Sequence, residues 1–252
     1  MIPSSFAETG WHFVSNRIPP TRFQVIGERS SGTNYVKRLL GRNTTLQPTE
    51  ALGWKHGYPQ MMAIPADLVV ILSVRDAVSW VRSMHAKPWH TPPQMQALEL
   101  SEFMRAPWET IIDRDRYFQP DAKLGISHQP LQQDRNLVTG APYPNLLRLR
   151  QGKMQSHLSF FNRNCAFALV QLESVIAAPE AFLTQFSEGF GLNTPSAPHR
   201  PVVKRLGAKF KPSIETRPDT PKTLSVDDMA FLKDNLNLPL EAALGYQYNS
   251  PQ

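Results

Sequence analysis

A single cysteine, Cys165, stands among 252 residues. It can form no internal disulfide and supply no thiolate metal cluster, so the chain reads as one that works in a reducing, cytoplasmic setting. Long apolar runs are missing too. The longest, Leu68 to Val74, is interrupted by Ser73 and is far too short to span a bilayer. The opening stretch, Met1 to Asn16, includes Glu8 and His12 and reads as neither a signal peptide nor an anchor, so no membrane span is expected. No set of His, Cys and Asp residues stands at metal-ligand spacing. Charged residues make up only 19% of the chain and hydrophobic ones 41%, which excludes a disordered polymer and points to a globular protein.

Proline, by contrast, is abundant at 23 residues and divides the chain into blocks, because it interrupts ladders and helix interiors. In the first block Phe23, Val25 and Ile26 form a strand-like run, residues 27–32 are small and polar, and Tyr35, Val36, Leu39 and Leu40 recur at helical spacing up to Gly41. The second block repeats this strand, loop and helix order. Leu68 to Val74 is apolar on both faces, as in a central parallel strand, and Val78, Val81 and Met84 follow at helical spacing. A third strand is expected over Phe167 to Leu172, then a helix opened by Pro179, with Phe182, Phe186 and Phe190 as core and Gly191 as its stop. A late helix is expected at Ser225, with Asp227 and Asp228 in its first turn. These units predict an α/β fold, a three-layer sandwich with a central parallel sheet, in one domain over residues 1–252. A proline-rich insertion at about 88–144 is read as short helices and loops of the kind that carry substrate contacts.

The most informative segment lies between the first strand and its helix: Gly27, Glu28, Arg29, Ser30, Ser31, Gly32, Thr33, Asn34, Tyr35. Small residues there let backbone N–H groups converge on an anion at a helix N-terminus, and Thr33 and Asn34 can add side-chain donors. The Gly-Lys-Ser/Thr ending that holds β- and γ-phosphates and magnesium is absent, which argues against ATP or GTP hydrolysis. A tight turn with no ligand is the alternative. Arg75 ends the second strand, where ligands approach an open α/β sheet, and Ser83 follows it by eight residues. A guanidinium and a hydroxyl could converge there on a second phosphate, unless Arg75 serves as a structural bridge to Asp76 or another acid. Between these units Lys55 and His56, flanked by Gly53 and Gly57, offer a cationic stabiliser and a proton acceptor.

Taken together, Ser30-Ser31-Gly32-Thr33-Asn34-Tyr35, Lys55-His56, Arg75-Asp76-Ala77 with Ser83, and Gln171-Leu172-Glu173 resemble the ordered motifs of the sulfotransferase family. That family is P-loop-related and uses 3′-phosphoadenosine-5′-phosphosulfate. The resemblance covers about Arg22 to Lys87 well and Ala166 to Gly191 loosely. It implies a P-loop-type nucleotide-binding fold in which the backbone from Ser31 to Asn34 binds the 5′-phosphosulfate and Arg75 and Ser83 bind the 3′-phosphate. Tyr35 would replace the aromatic that stacks on adenine, His56 would be the general base toward a hydroxyl or amine acceptor, and Lys55 would stabilise the sulfuryl group, with no metal. Two departures stand out. The family's first-loop lysine is Ser30 here, leaving Arg29 or Lys55 to supply its charge, and the late Arg-Lys-Gly segment is echoed only by Lys204 and Arg205.

The formal charge is +6, which favours anionic partners in general. The basic stretch that includes Lys204, Arg205, Lys209 and Lys211 reads as a solvated face in preference to a nucleic-acid surface, since Phe210 is its one aromatic. A non-catalytic nucleotide or nucleic-acid binding protein, or a P-loop kinase-like phosphotransferase, is the competing reading. Trp89, Trp108, Phe160 and Phe161 could line an acceptor pocket or belong to the core.

Overall fold

The computed structural model describes residues 2–118, 121–193, 198–203 and 209–248. In chain order the elements are α1 (Phe6–Thr9), β1 (Trp11–Val14), β2 (Arg22–Ile26), α2 (Thr33–Asn43), β3 (Gln47–Pro48), β4 (Leu68–Val74), α3 (Ala77–Ala86), α4 (Pro93–Gln96), α5 (Leu100–Arg105) and α6 (Leu146–Leu158). They are followed by β5 (Ala166–Gln171), α7 (Leu172–Ala177), α8 (Pro179–Gly189), α9 (Val226–Asn235) and α10 (Leu238–Ala243). Contacts gather these into two compact units, one of Met1–Asp76, Met154–Ala208 and Leu238–Gln247, the other of Ala77–Lys153, Lys209–Asn237 and Tyr248–Gln252. Among the described residues no helix is long and apolar enough to cross a membrane.

The first unit holds a five-stranded sheet ordered β1-β5-β4-β2-β3. Its pairs are parallel except β1 with β5, which is antiparallel, so the sheet is mixed and not wholly parallel as expected. β4 and β5 are buried at every position, as strands covered on both faces should be. The period of two sorts their side chains. Register aligns Phe23 with Val69 and Val69 with Ala166, and in the next row Val25 with Ile71 and Ile71 with Ala168. This face forms one apolar cluster with Val36, Leu39 and Leu40 of α2, Val175 of α7, and Phe182, Phe186 and Phe190. The small Ala168 sits opposite Phe13 of β1, whose ring meets Phe182, Phe186 and Phe190 at centroid distances of 6.3, 5.7 and 5.7 Å. The other face carries Phe167 against Phe160 and Phe161.

The expected strand over Leu68 to Val74 and the helix opened by Pro179 match β4 and α8. Two boundaries differ. α2 continues through Gly41 to Asn43, its last carbonyls reinforced by the side chains of Asn43 and Thr44, which donate to Leu39 O and Leu40 O beside the backbone bond from Thr44 N–H to Leu40 O. Leu172 opens a short helix instead of ending β5. Gly191 lies just past α8 with φ +64°, the left-handed geometry of a helix stop.

In the second unit the insertion consists, as expected, of short helices, single turns and loops. Trp80, Phe103 and Trp108 are buried there, and Phe160 is buried in the first unit, so Trp108 and Phe160 are core residues. α6 buries Arg150 with its guanidinium 5.1 Å from the Trp80 ring and Lys153 with its ammonium 3.1 Å from Asp134. His90 adopts φ +66° and its Nδ1 lies 2.6 Å from Asp113 Oδ1. Burial alone would raise the Asp113 carboxyl, but His90 and Arg114 beside it hold its pKa below the ordinary value. Ser225 caps α9 as expected, its hydroxyl accepting from Asp228 N–H at 3.1 Å.

Two stability tests follow from this packing. Phe182→Ala empties the centre of the aromatic cluster and is expected to cost about 3–5 kcal/mol in urea unfolding, against about 1 kcal/mol for Ser225→Ala. His85 is buried, its ring bonded to Thr220 Oγ1 at 2.7 Å and to Leu98 O at 3.0 Å. Burial pushes its pKa below 6.5, so the unfolded chain binds the proton more readily. Stability is therefore lost as pH falls through about 6.5 toward the lowered native value. Urea midpoints at pH 7.5 and 5.5 should show that loss, and His85→Gln should make it shallower.

Candidate functional site

Strand order reverses between β2 and β4, since the chain leaves β2 toward β3 on one flank and β4 toward β5 on the other. Ligands of open α/β sheets bind at such a reversal, beyond the carboxyl ends of the strands. Gly27 and Arg75, the residues that follow these strands, open the site.

The turn after β2 is set by backbone geometry. Ser30 and Gly32 take φ +65° and +84° with Ser31 between them at negative φ. Alternation of that sign curls successive N–H groups into a concave anion nest. Ser31 N–H and its hydroxyl both return to Glu28 O, at 3.2 and 2.7 Å, closing the turn on itself. Ser73 Oγ donates to Ser31 O at 2.7 Å, and Arg75 Nη1 donates to Ser30 O at 3.0 Å. In a trans peptide the C=O and N–H point oppositely, so drawing Ser31 O toward β4 aims the Gly32 N–H away from it. With those of Thr33 and Asn34 it gathers at the head of α2, where a helix carries partial positive charge.

The two glycines are sterically required. A Cβ on Gly27, at φ +147°, would lie 2.5 Å from Ser73 O, and one on Gly32 would lie 2.3 Å from Leu172 Cδ1.

Lys55 and His56 reach this turn from residues 54–57, a tight turn closed by Gly57 N–H on Trp54 O at 2.8 Å. Being in a turn, the two neighbours do not diverge to opposite faces. Lys55 Nζ donates to Asn34 Oδ1 at 2.7 Å in the first turn of α2. Burial lowers the Lys55 pKa, opposed by Glu50, while Lys37 lowers it further. His56 Nδ1 lies 2.7 Å from Gly27 O. A carbonyl only accepts, so Nδ1 carries the proton, and the neutral ring has its lone pair on Nε2, the tautomer a base needs. The Trp54 and His56 rings meet edge to face, their centroids 5.5 Å apart.

The structure thus brings together Ser30, Ser31, Gly32, Thr33, Asn34, Lys55, His56 and Arg75. Arg29 is buried, with its guanidinium 5.8 Å from the Trp54 ring. Tyr35 packs against the apolar cluster, and burial raises its phenol pKa. Ser83 lies half-buried on α3, in the second unit. Lys204 and Arg205 fall outside the described residues. The sequence reading missed Ser73, Gln24 and His157. Ser73 and Gln24 were visible as lone polar residues within apolar strands; His157 carries no such signal. Among the described residues no group of three His, Cys, Asp or Glu side chains is placed to hold a metal ion.

The chain matches no family model, no curated protein and no solved structure. Gly27→Ala is expected to lower stability by roughly 2 kcal/mol or more, since strained backbone and a backbone clash add. Ser73→Ala should cost about 1 kcal/mol, one hydrogen bond's worth. Chemical denaturation of both variants checks the order.

Proposed function

We propose that the protein is a sulfotransferase, moving a sulfuryl group from 3′-phosphoadenosine-5′-phosphosulfate to a hydroxyl or amine acceptor on a P-loop-type nucleotide-binding fold. The observation that carries this reading is the meeting of three features at the ends of β2 and β4. These are a turn curled for an anion, the Lys55 ammonium against Asn34, and a histidine held as the Nδ1–H tautomer by Gly27 O.

In this reading the N–H groups at the head of α2 hold the 5′-phosphosulfate. His56 Nε2 takes the proton of the acceptor as its oxygen or nitrogen attacks sulfur. The bond from sulfur to the bridging phosphate oxygen breaks, and the electron pair leaves with adenosine 3′,5′-bisphosphate. Lys55 supplies the point charge that the family places on its first-loop lysine. Ser30 stands at that position in left-handed geometry, and its carbonyl accepts from Arg75. A partly desolvated ammonium acts more strongly on a passing anion than a hydrated one. Arg75, at the end of β4, is assigned to the 3′-phosphate as well as to the turn.

Adenosine 3′,5′-bisphosphate should raise the melting temperature saturably, the stabilisation reaching about 2.7 kcal/mol at a hundred times Kd. His56→Ala should keep that shift while turnover with labelled donor falls by roughly 10²–10⁴. A shift with ATP and magnesium in place of the bisphosphate would overturn the proposal in favour of a kinase-like phosphotransferase. Steeply salt-dependent affinity for DNA or RNA, without transfer, would overturn it in favour of a binding protein.

A further inference from the structure

We infer that His157 and Gln24 are positioning residues for the turn that carries Lys55 and His56. The inference rests on the proposed function only for its kinetic readout. Residues 52–57 have no strand or helix of their own, so their place depends on what grips their backbone. Gln24 of β2 grips the front end with both ends of its amide: Leu52 N–H donates to Oε1 at 2.8 Å, and Nε2 donates to Gly53 O at 2.9 Å. Gly27 N–H donates to Lys55 O at 3.0 Å in the middle. His157, from the last turn of α6, grips the back end, its Nε2 lying 2.9 Å from Gly57 O. Since Gly57 O can only accept, Nε2 of His157 is the donor.

Gln24 and His157 are each only 1% exposed. A polar group buried so deeply is costly unless bonded, which makes these two grips obligatory and not optional surface contacts. Both bonds are to backbone, so they fix where the turn lies. The bond they protect is the one from His56 Nδ1 to Gly27 O. A displacement of a few tenths of an ångström in residues 54–57 weakens that bond, and free imidazole then reverts toward the Nε2–H tautomer, which presents a donor where a base needs a lone pair.

The test compares His157→Leu, His157→Gln and Gln24→Met in the full chain. Long-range ¹H–¹⁵N correlation reads the His56 tautomer, and labelled-donor assays read turnover. His157→Leu and Gln24→Met should shift His56 from the Nδ1–H toward the Nε2–H form. Turnover should fall by roughly 10- to 100-fold, as for a misplaced reacting group, with the bisphosphate-induced melting shift unchanged. His157→Gln keeps an N–H donor and should restore both readings. An unchanged His56 tautomer in a folded His157→Leu or Gln24→Met protein overturns the inference. So does equal loss in His157→Gln and His157→Leu. If His157→Leu does not fold, Gln24→Met and His157→Gln decide alone. A tautomer shift in a chain that has no transferase activity to lose leaves the positioning role standing and removes the sulfotransferase reading.

Discussion

The end of β2 runs so close to the end of β4 that only glycine fits between them. A Cβ on Gly27 would sit 2.5 Å from Ser73 O and 2.7 Å from Ser31 Oγ. The same residue gives its N–H to Lys55 O and accepts His56 Nδ1–H on its carbonyl. One position thus seats the turn after β2 against β4 and docks the Lys55–His56 turn against both. If the strands were forced apart there, Ser73 would lose Ser31 O, Arg75 would lose Ser30 O, and His56 would lose the acceptor that sets its tautomer.

The apolar cluster and the polar groups divide the labour. The cluster between the sheet and α2, α7 and α8 is built of aliphatic and aromatic side chains, and its large aromatic contacts dominate the stability of the first unit. The groups that shape the site are few and polar: Gln24, Ser31, Ser73 and His157, all buried and all bonded to backbone. Each bond is worth only about 1 kcal/mol net, but an unmade one would leave a buried polar atom stranded. They therefore specify one geometry more than they stabilise the fold.

What was legible in the sequence follows from this division. β4 declared itself because a strand buried on both faces is a continuous apolar run, and the small residues after β2 declared the turn. β1 did not, because an antiparallel edge strand of four residues, Trp11–Val14, offers too short an alternation to recognise. The Lys55–His56 pair was legible as chemistry but not as structure: its turn owes its form to Gln24 and His157, which lie 31 residues before Lys55 and 101 residues after His56. Contacts at such separation leave no local pattern. Ser73 was seen only as an interruption of an apolar run, although it is the hydroxyl that orients the turn.

The proline content and the basic surplus are two sides of one constraint. Each proline removes a backbone N–H, so proline-rich connections have more carbonyl acceptors than main-chain donors. Arginine, with several N–H groups on one planar head and no acceptor, corrects that imbalance. Within the first unit Arg42 donates to Pro201 O. Within the second, Arg82 donates to Pro221 O, Arg114 to Lys211 O, and Arg217 to the carbonyls of His85, Ala86 and Gln96. Arg29, Arg150 and Lys153 are buried, and Lys37 pairs with Glu50 at 2.8 Å. A formal charge of +6, taken alone, would suggest a diffuse attraction for polyanions. With these cations engaged on carbonyls, rings and carboxylates, the formal charge overstates what is left to meet a ligand, and the two cations that stand beside the turn, Lys55 and Arg75, are themselves held in place by Asn34 Oδ1 and Ser30 O.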